Sequence, residues 1–89
     1  MKLITLTSPA LTMASLAALS DKDDAVFLCQ DAVYLVRQAD LIWPVEQLYV
    51  LDTDLQVRQL TAAAPYQVIN ASRWVELTIT AEQTILWQA

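Results

Sequence analysis

Few side chains in this sequence are equipped for chemistry. Cys29 is the sole thiol, and there is no histidine. The missing imidazole removes histidine-based general acid–base catalysis, the usual triads and most zinc sites. A lone cysteine can act as a nucleophile or sulfur carrier only as an accessible thiolate. A helix N-terminus or a nearby cation must lower its pKa. Cys29 closes the apolar run Val26-Phe27-Leu28 just before a polar turn, so its place is suggestive. A free cysteine in such a run is most often a small buried hydrophobe, which is the expectation here. Asp31 and Asp52 also follow apolar segments, and paired carboxylates there would suit proton transfer or a divalent cation. Neither has a histidine partner, and helix capping, worth about 0.5–2 kcal/mol each, accounts for both. No cofactor and no metal site is expected.

The stretch that positions these residues is Ala25 to Val36. Ala25 to Cys29 runs apolar without a break, as a strand covered on both faces does. Gln30 and Asp31 make a polar turn, and a helix follows to about Gln38 with Asp31 as its expected cap. In open parallel sheets this strand-to-helix corner lies at the carboxyl edge, where ligands bind. Around it, Lys2–Leu6 reads as the first strand. Ser8 before Pro9 is a plausible cap for a short helix carrying Leu11, Met13, Leu16, Ala17 and Leu19. Ser20 to Asp24 reads as a charged, solvated surface turn. Pro44 ends any helix arriving from Asp40 to Trp43. Glu46–Leu51 is the third strand, and Asp54 is a candidate cap for a helix with Leu55, Val57, Arg58 and Leu60. Tyr66–Ile69 is the fourth strand. Asn70 or Ser72 caps a helix with Trp74, Val75 and Leu77. The segment Thr84-Ile85-Leu86-Trp87 is a last strand or an ordered tail.

Strand–helix alternation of this kind predicts an α/β fold. The expected form is a small three-layer sandwich, with a mainly parallel sheet of four to five strands and helices on both faces. The 89 residues form one domain, 1–89. There is no glycine, so the Gly-rich loops that cradle phosphates are excluded. The net charge is −5, and the five basic residues are scattered, which argues against direct nucleic-acid contact. No apolar run approaches the roughly 20 residues that span a membrane. The N-terminal segment, broken by Thr5, Thr7, Ser8 and Pro9, does not read as a signal peptide. One cysteine and no internal disulfide fit a cytoplasmic protein. The composition is 56% hydrophobic and only 17% charged. So few charges cannot cover a small domain, and a face buried against partner subunits is expected. Tyr and Trp are favoured at interface centres, which makes Trp43 and Trp87 the interface candidates.

Several segments together resemble one family. These are the opening strand followed by Ser8-Pro9, the central strand ending in Gln30-Asp31-Ala32-Val33, and Tyr49-Val50-Leu51-Asp52-Thr53-Asp54-Leu55 continued by Arg58 and Leu60. The pattern of Ile69 to Leu77 and a tryptophan close to the C-terminus, Trp87, complete the set. In order and spacing they are similar to the TusB/DsrH family of sulfur-relay subunits, within the DsrE-like fold.

The resemblance implies the B subunit of a hetero-oligomer with TusC-like and TusD-like partners. That complex passes persulfide sulfur from a TusA-like donor toward TusE, for 2-thiolation of the tRNA wobble uridine. The related DsrEFH complex serves sulfur oxidation. Some DsrH-like members carry a cysteine in the first helix, whereas Ala10 to Leu19 has none here. TusD-like subunits supply the active cysteine, so the implied role is non-catalytic. Two alternatives stand beside it. One is a DsrH-like sulfurtransferase carrying persulfide on Cys29. The other is a small binding domain that self-associates, giving a homo-oligomer in isolation.

Overall fold

A computed structural model describes residues 1–10, 13–38 and 41–87. The expected positions Leu11 and Asp40 lie outside the described residues. The elements in order are β1 (Lys2–Leu6), α1 (Met13–Leu19), β2 (Ala25–Leu28), a 3₁₀ helix (Gln30–Arg37), β3 (Gln47–Leu51), α2 (Asp52–Val57), β4 (Tyr66–Ile69), α3 (Ala71–Thr80) and β5 (Gln83–Trp87).

The strands form one sheet in the order β4-β3-β2-β1-β5, and every neighbouring pair is parallel. The first three crossovers step the same way across the sheet, from β1 to β4. Crossovers of one hand then place their helices on one face. The last crossover runs back from β4 to β5, so α3 crosses on the opposite face. The side chains agree with this. Ile4, Leu6, Val26, Leu28, Leu48 and Val50 bury against Leu16 of α1, Ala32, Val33 and Leu35 of the 3₁₀ helix and Leu55 of α2. Leu3, Ala25, Phe27, Tyr49 and Ile69 face Leu77 and Trp74 of α3. β2 is the central strand, and all four of its residues are buried. An element covered on both sides needs the continuous apolar run that Ala25–Leu28 supplies.

Local chemistry departs from expectation at two helix starts. Asp31 does not cap. The helix begins one residue earlier, at Gln30, behind Cys29, and it is a 3₁₀ helix of eight residues. Such helices have poor hydrogen-bond geometry and seldom run beyond a few residues. Asp54 does not cap either: α2 starts at Asp52 directly after Leu51, with no side-chain cap. Asn70 does cap α3, its Oδ1 accepting from the amide of Arg73 at 2.8 Å. Ser8 Oγ accepts from the amide of Ala10 at 3.2 Å, and α1 is described from Met13 onward.

The turn before β2 is also more than a solvated loop. Asp24 is buried, and its carboxylate accepts from the amides of Lys2 and Asp21, both at 2.9 Å, and pairs with Lys2 Nζ at 3.5 Å. It ties the amino ends of β1 and β2 to the turn between them. Burial pushes this carboxyl up, but the two amides and the Lys2 charge outweigh it and hold it below its ordinary value.

Candidate functional site

Cys29 lies at the carboxyl end of the central strand, where the chain leaves the sheet. Its backbone still belongs to the sheet, since its amide donates to the carbonyl of Leu6 at 3.1 Å. The thiol points among Leu3, Phe27 and Tyr49, on the α3 side, and only 6% of the residue is exposed. Its Sγ lies 3.6 Å from the Leu6 carbonyl, which it donates to. Burial and, secondarily, the charge of Asp54 push the thiol up to about 11. At neutral pH it is a thiol and not a thiolate, the opposite of what a sulfur carrier needs. Among the described residues, the one charge that acts on it is that of Asp54, which works in the same direction as burial.

The charged groups at this edge are organised around Arg58, the residue following α2. Its Nη2 donates to Asp31 Oδ1 at 2.9 Å, and its Nε reaches the same oxygen at 3.3 Å. Its Nη1 donates to the Asp54 carbonyl at 3.2 Å and lies 3.5 Å from Asp54 Oδ1. The guanidinium also sits 5.8 Å from the centroid of the Tyr34 ring. The hydrogen bond to Asp31, with the charges of Asp31 and Asp54, holds Arg58 more firmly protonated. Asp54 uses its other oxygen on the amide of Gln30, at 2.7 Å. One carboxylate therefore joins α2 to the corner that follows Cys29.

The two carboxylates brought together are Asp31 and Asp54, bridged by Arg58. Asp52, expected beside Asp31, spends its Oδ1 on the amide of Thr53 at 2.7 Å. A carboxylate pair already bridged by a guanidinium is poorly suited to hold a divalent cation. Among the described residues, no group of three or more His, Cys, Asp or Glu side chains is placed to hold a metal. The role of Arg58 was not singled out from the sequence. Its position four residues after Asp54 is the one signal that could have suggested a pair.

The interface candidates are both half-buried and both used within the chain. Trp43 donates from Nε1 to the Tyr66 hydroxyl at 2.9 Å, with the two rings nearly perpendicular. Trp87 ends β5 beside Leu6 and packs on the same core as Ile4 and Leu6. Trp74 stacks on Phe27, with centroids 5.0 Å apart. The large apolar side chains most open to solvent among the described residues are Ile42, Val57, Val68, Val75, Ile79 and Leu86. Among the described residues, no helix is long and apolar enough to cross a membrane.

A family model described as DsrH like protein matches residues 7–84. No curated protein matches the chain.

Proposed function

Because the chain belongs to the DsrH-like family, that of the TusB and DsrH sulfur-relay subunits, we propose that it works in its relay complex without a sulfur-carrying residue of its own. Its five-strand parallel sheet flanked by helices is the DsrE/DsrH-like fold. The observation that carries the non-catalytic reading is the state of Cys29, the sole thiol of the chain, which is buried and held protonated. In this reading the partners are TusC-like and TusD-like subunits in the cytoplasm, and the sulfur ends in the 2-thio group of the tRNA wobble uridine. The exposed apolar side chains of a charge-poor chain support a protein that docks onto siblings.

The test is Cys29→Ser in a host lacking the native gene. Deletion should abolish 2-thiouridine at the wobble position, measured by mercury-affinity gel retardation of the tRNA, and both wild type and Cys29→Ser should restore it. Failure of Cys29→Ser alone, with a persulfide trapped on Cys29 during turnover, would transfer the role to the sulfurtransferase reading. Normal thiolation in the deletion strain would remove the tRNA assignment.

A further inference from the structure

The outer strands of the sheet are β4 and β5, and each pairs with a strand on one side only, β4 with β3 and β5 with β1. The other side of such a strand presents a row of backbone N–H and C=O groups that a further strand can take up. Edges of this kind are ordinarily guarded by lysine, proline, a bulge or a very short strand. β5 has none of these guards. It reads Gln83-Thr84-Ile85-Leu86-Trp87, without a charge or a proline, and it runs in unbroken register with Lys2–Leu6. β4 is shorter, at four residues, and Pro65 directly precedes it. β5 also leaves apolar surface open. Ile85 and Trp87 lie on the face of Ile4 and Leu6 and only half-bury against that core. Leu86 lies on the α3 face beside Thr5 and is 56% exposed.

We propose that β5 pairs antiparallel with β5 of a second copy of this chain, joining the two sheets into one about a two-fold axis at Ile85. The backbone of an edge calls for another strand, and this strand is complementary to itself. In the register centred on Ile85 all five residues find a partner: Ile85 meets its own counterpart, Thr84 meets Leu86, and Gln83 meets Trp87. Residues opposite one another lie on the same face, so the half-buried Ile85 of each copy covers the other, and Leu86 gains the Thr84 methyl. Charge permits the contact. The chain carries −5, yet this pairing brings no like charges together within the strand. Glu82, just before it, is paired with the Met1 amine at 3.7 Å. A two-fold contact of one patch with itself closes at the dimer, whereas β5 on β4 would propagate. The pairing is independent of the sulfur-relay reading, because one isolated chain carries the whole surface.

Sedimentation of the full chain should show a dimer at about 100 μM that dissociates on dilution, as a small interface does. Leu86→Glu should weaken the dimer about tenfold or more, since it sets two carboxylates diagonally across the pair and removes an apolar contact. Adding Thr84→Lys to Leu86→Glu places a lysine opposite each glutamate at unchanged net charge, and should recover the association severalfold. Thr84 and Leu86 are both exposed, so the urea midpoint of the monomer should stay close to wild type in each variant. Gln67→Lys, on the edge formed by β4, should leave association unchanged. A monomer at every concentration, an unweakened Leu86→Glu dimer, no recovery in the double variant, or equal weakening by Gln67→Lys would each overturn the pairing. If Leu86→Glu does not fold, the wild type still decides: raising its concentration should slow amide exchange in β5 and not in β4. Slowing confined to β4, or none in either edge, would end the proposal.

Discussion

Asp24 and Cys29 mark the two ends of the central strand, and each couples its protonation to folding with opposite sign. The Asp24 carboxyl is held below its ordinary value in the folded chain. Its contribution is therefore complete above the ordinary carboxylate range and is lost as pH falls through the lowered folded value. Asp24→Asn should cost about 1.5–3 kcal/mol at neutral pH, the range for hydrogen bonds to a charged group. The gap from wild type should narrow in acid, as urea midpoints at neutral and acidic pH would show; a constant gap would mean that the charge is irrelevant. Cys29 runs the other way. Its thiol is raised from 9.0 to about 11, so the folded chain keeps a proton that the unfolded chain gives up. Its contribution is intact below pH 9.0 and is lost as pH rises toward about 11. Comparing wild type with Cys29→Ala across that window isolates the effect from other titrating groups. The stability difference between the two should fall with rising pH.

At the scale of the element, the chain solves a glycine's problem without glycine. α2 ends with Leu60 N donating to Leu55 O at 2.9 Å and Gln59 N to Gln56 O at 3.1 Å, while Gln59 has φ of 54°. This is the paired-bond helix ending in which glycine ordinarily takes the left-handed position. Gln59→Gly should therefore raise stability, by up to about 1 kcal/mol once the unfolded-chain entropy of glycine is allowed for. A lower urea midpoint would refute it. On α3, Trp74 stacks on Phe27, but its buried Nε1 has no hydrogen-bond partner among the described residues. Trp74→Ala should cost about 3–5 kcal/mol, whereas Trp74→Phe should cost far less. Phe keeps the stacked ring and discards an unsatisfied donor that itself costs about 1–3 kcal/mol. The elements also show what a sequence can reveal. Lys2–Leu6 and Tyr66–Ile69 are legible to the residue because short apolar β-prone runs between breakers have one good use. The Gln30–Arg37 helix was legible as a helix but not as 3₁₀, because its start is dictated by Asp54, 24 residues away. For the same reason Asp31, well placed to cap by spacing alone, is drawn instead to Arg58 across 27 residues. Asp24 hid within a run of like-charged neighbours, Asp21 and Asp23, that do face solvent. Local pattern carries no record of which one turns inward.

For the whole molecule, the two faces of the sheet are unequally covered. Three helical segments pack on one face and α3 alone on the other. A chain this small buries only about 60–65% of its unfolded surface, so its stability alone is expected to be modest. Anything that binds only the folded form adds to it by mass action. The side chains suited to test such binding are those the isolated chain does not use. Trp43 and Trp87 fail this criterion, since each packs within the fold, and truncating either would confound folding with association. Ile79, on the outer side of α3, satisfies it at 78% exposed. It lies one helical turn beyond Val75, which is also exposed, so the two sit together on one stripe. Ile79→Asp should leave the urea midpoint of the isolated chain nearly unchanged, within about 0.5 kcal/mol, as exposed substitutions usually do. Under the proposed docking onto sibling subunits through the outer side of α3, the same substitution should weaken association about tenfold or more, because a charge would replace a desolvated apolar contact. Sedimentation of the complex at low concentration reads the second effect, and urea unfolding of the separate chain reads the first. A stable isolated chain with an unweakened complex would remove the outer side of α3 from the contact. A destabilised isolated chain would show instead that Ile79 supports the fold.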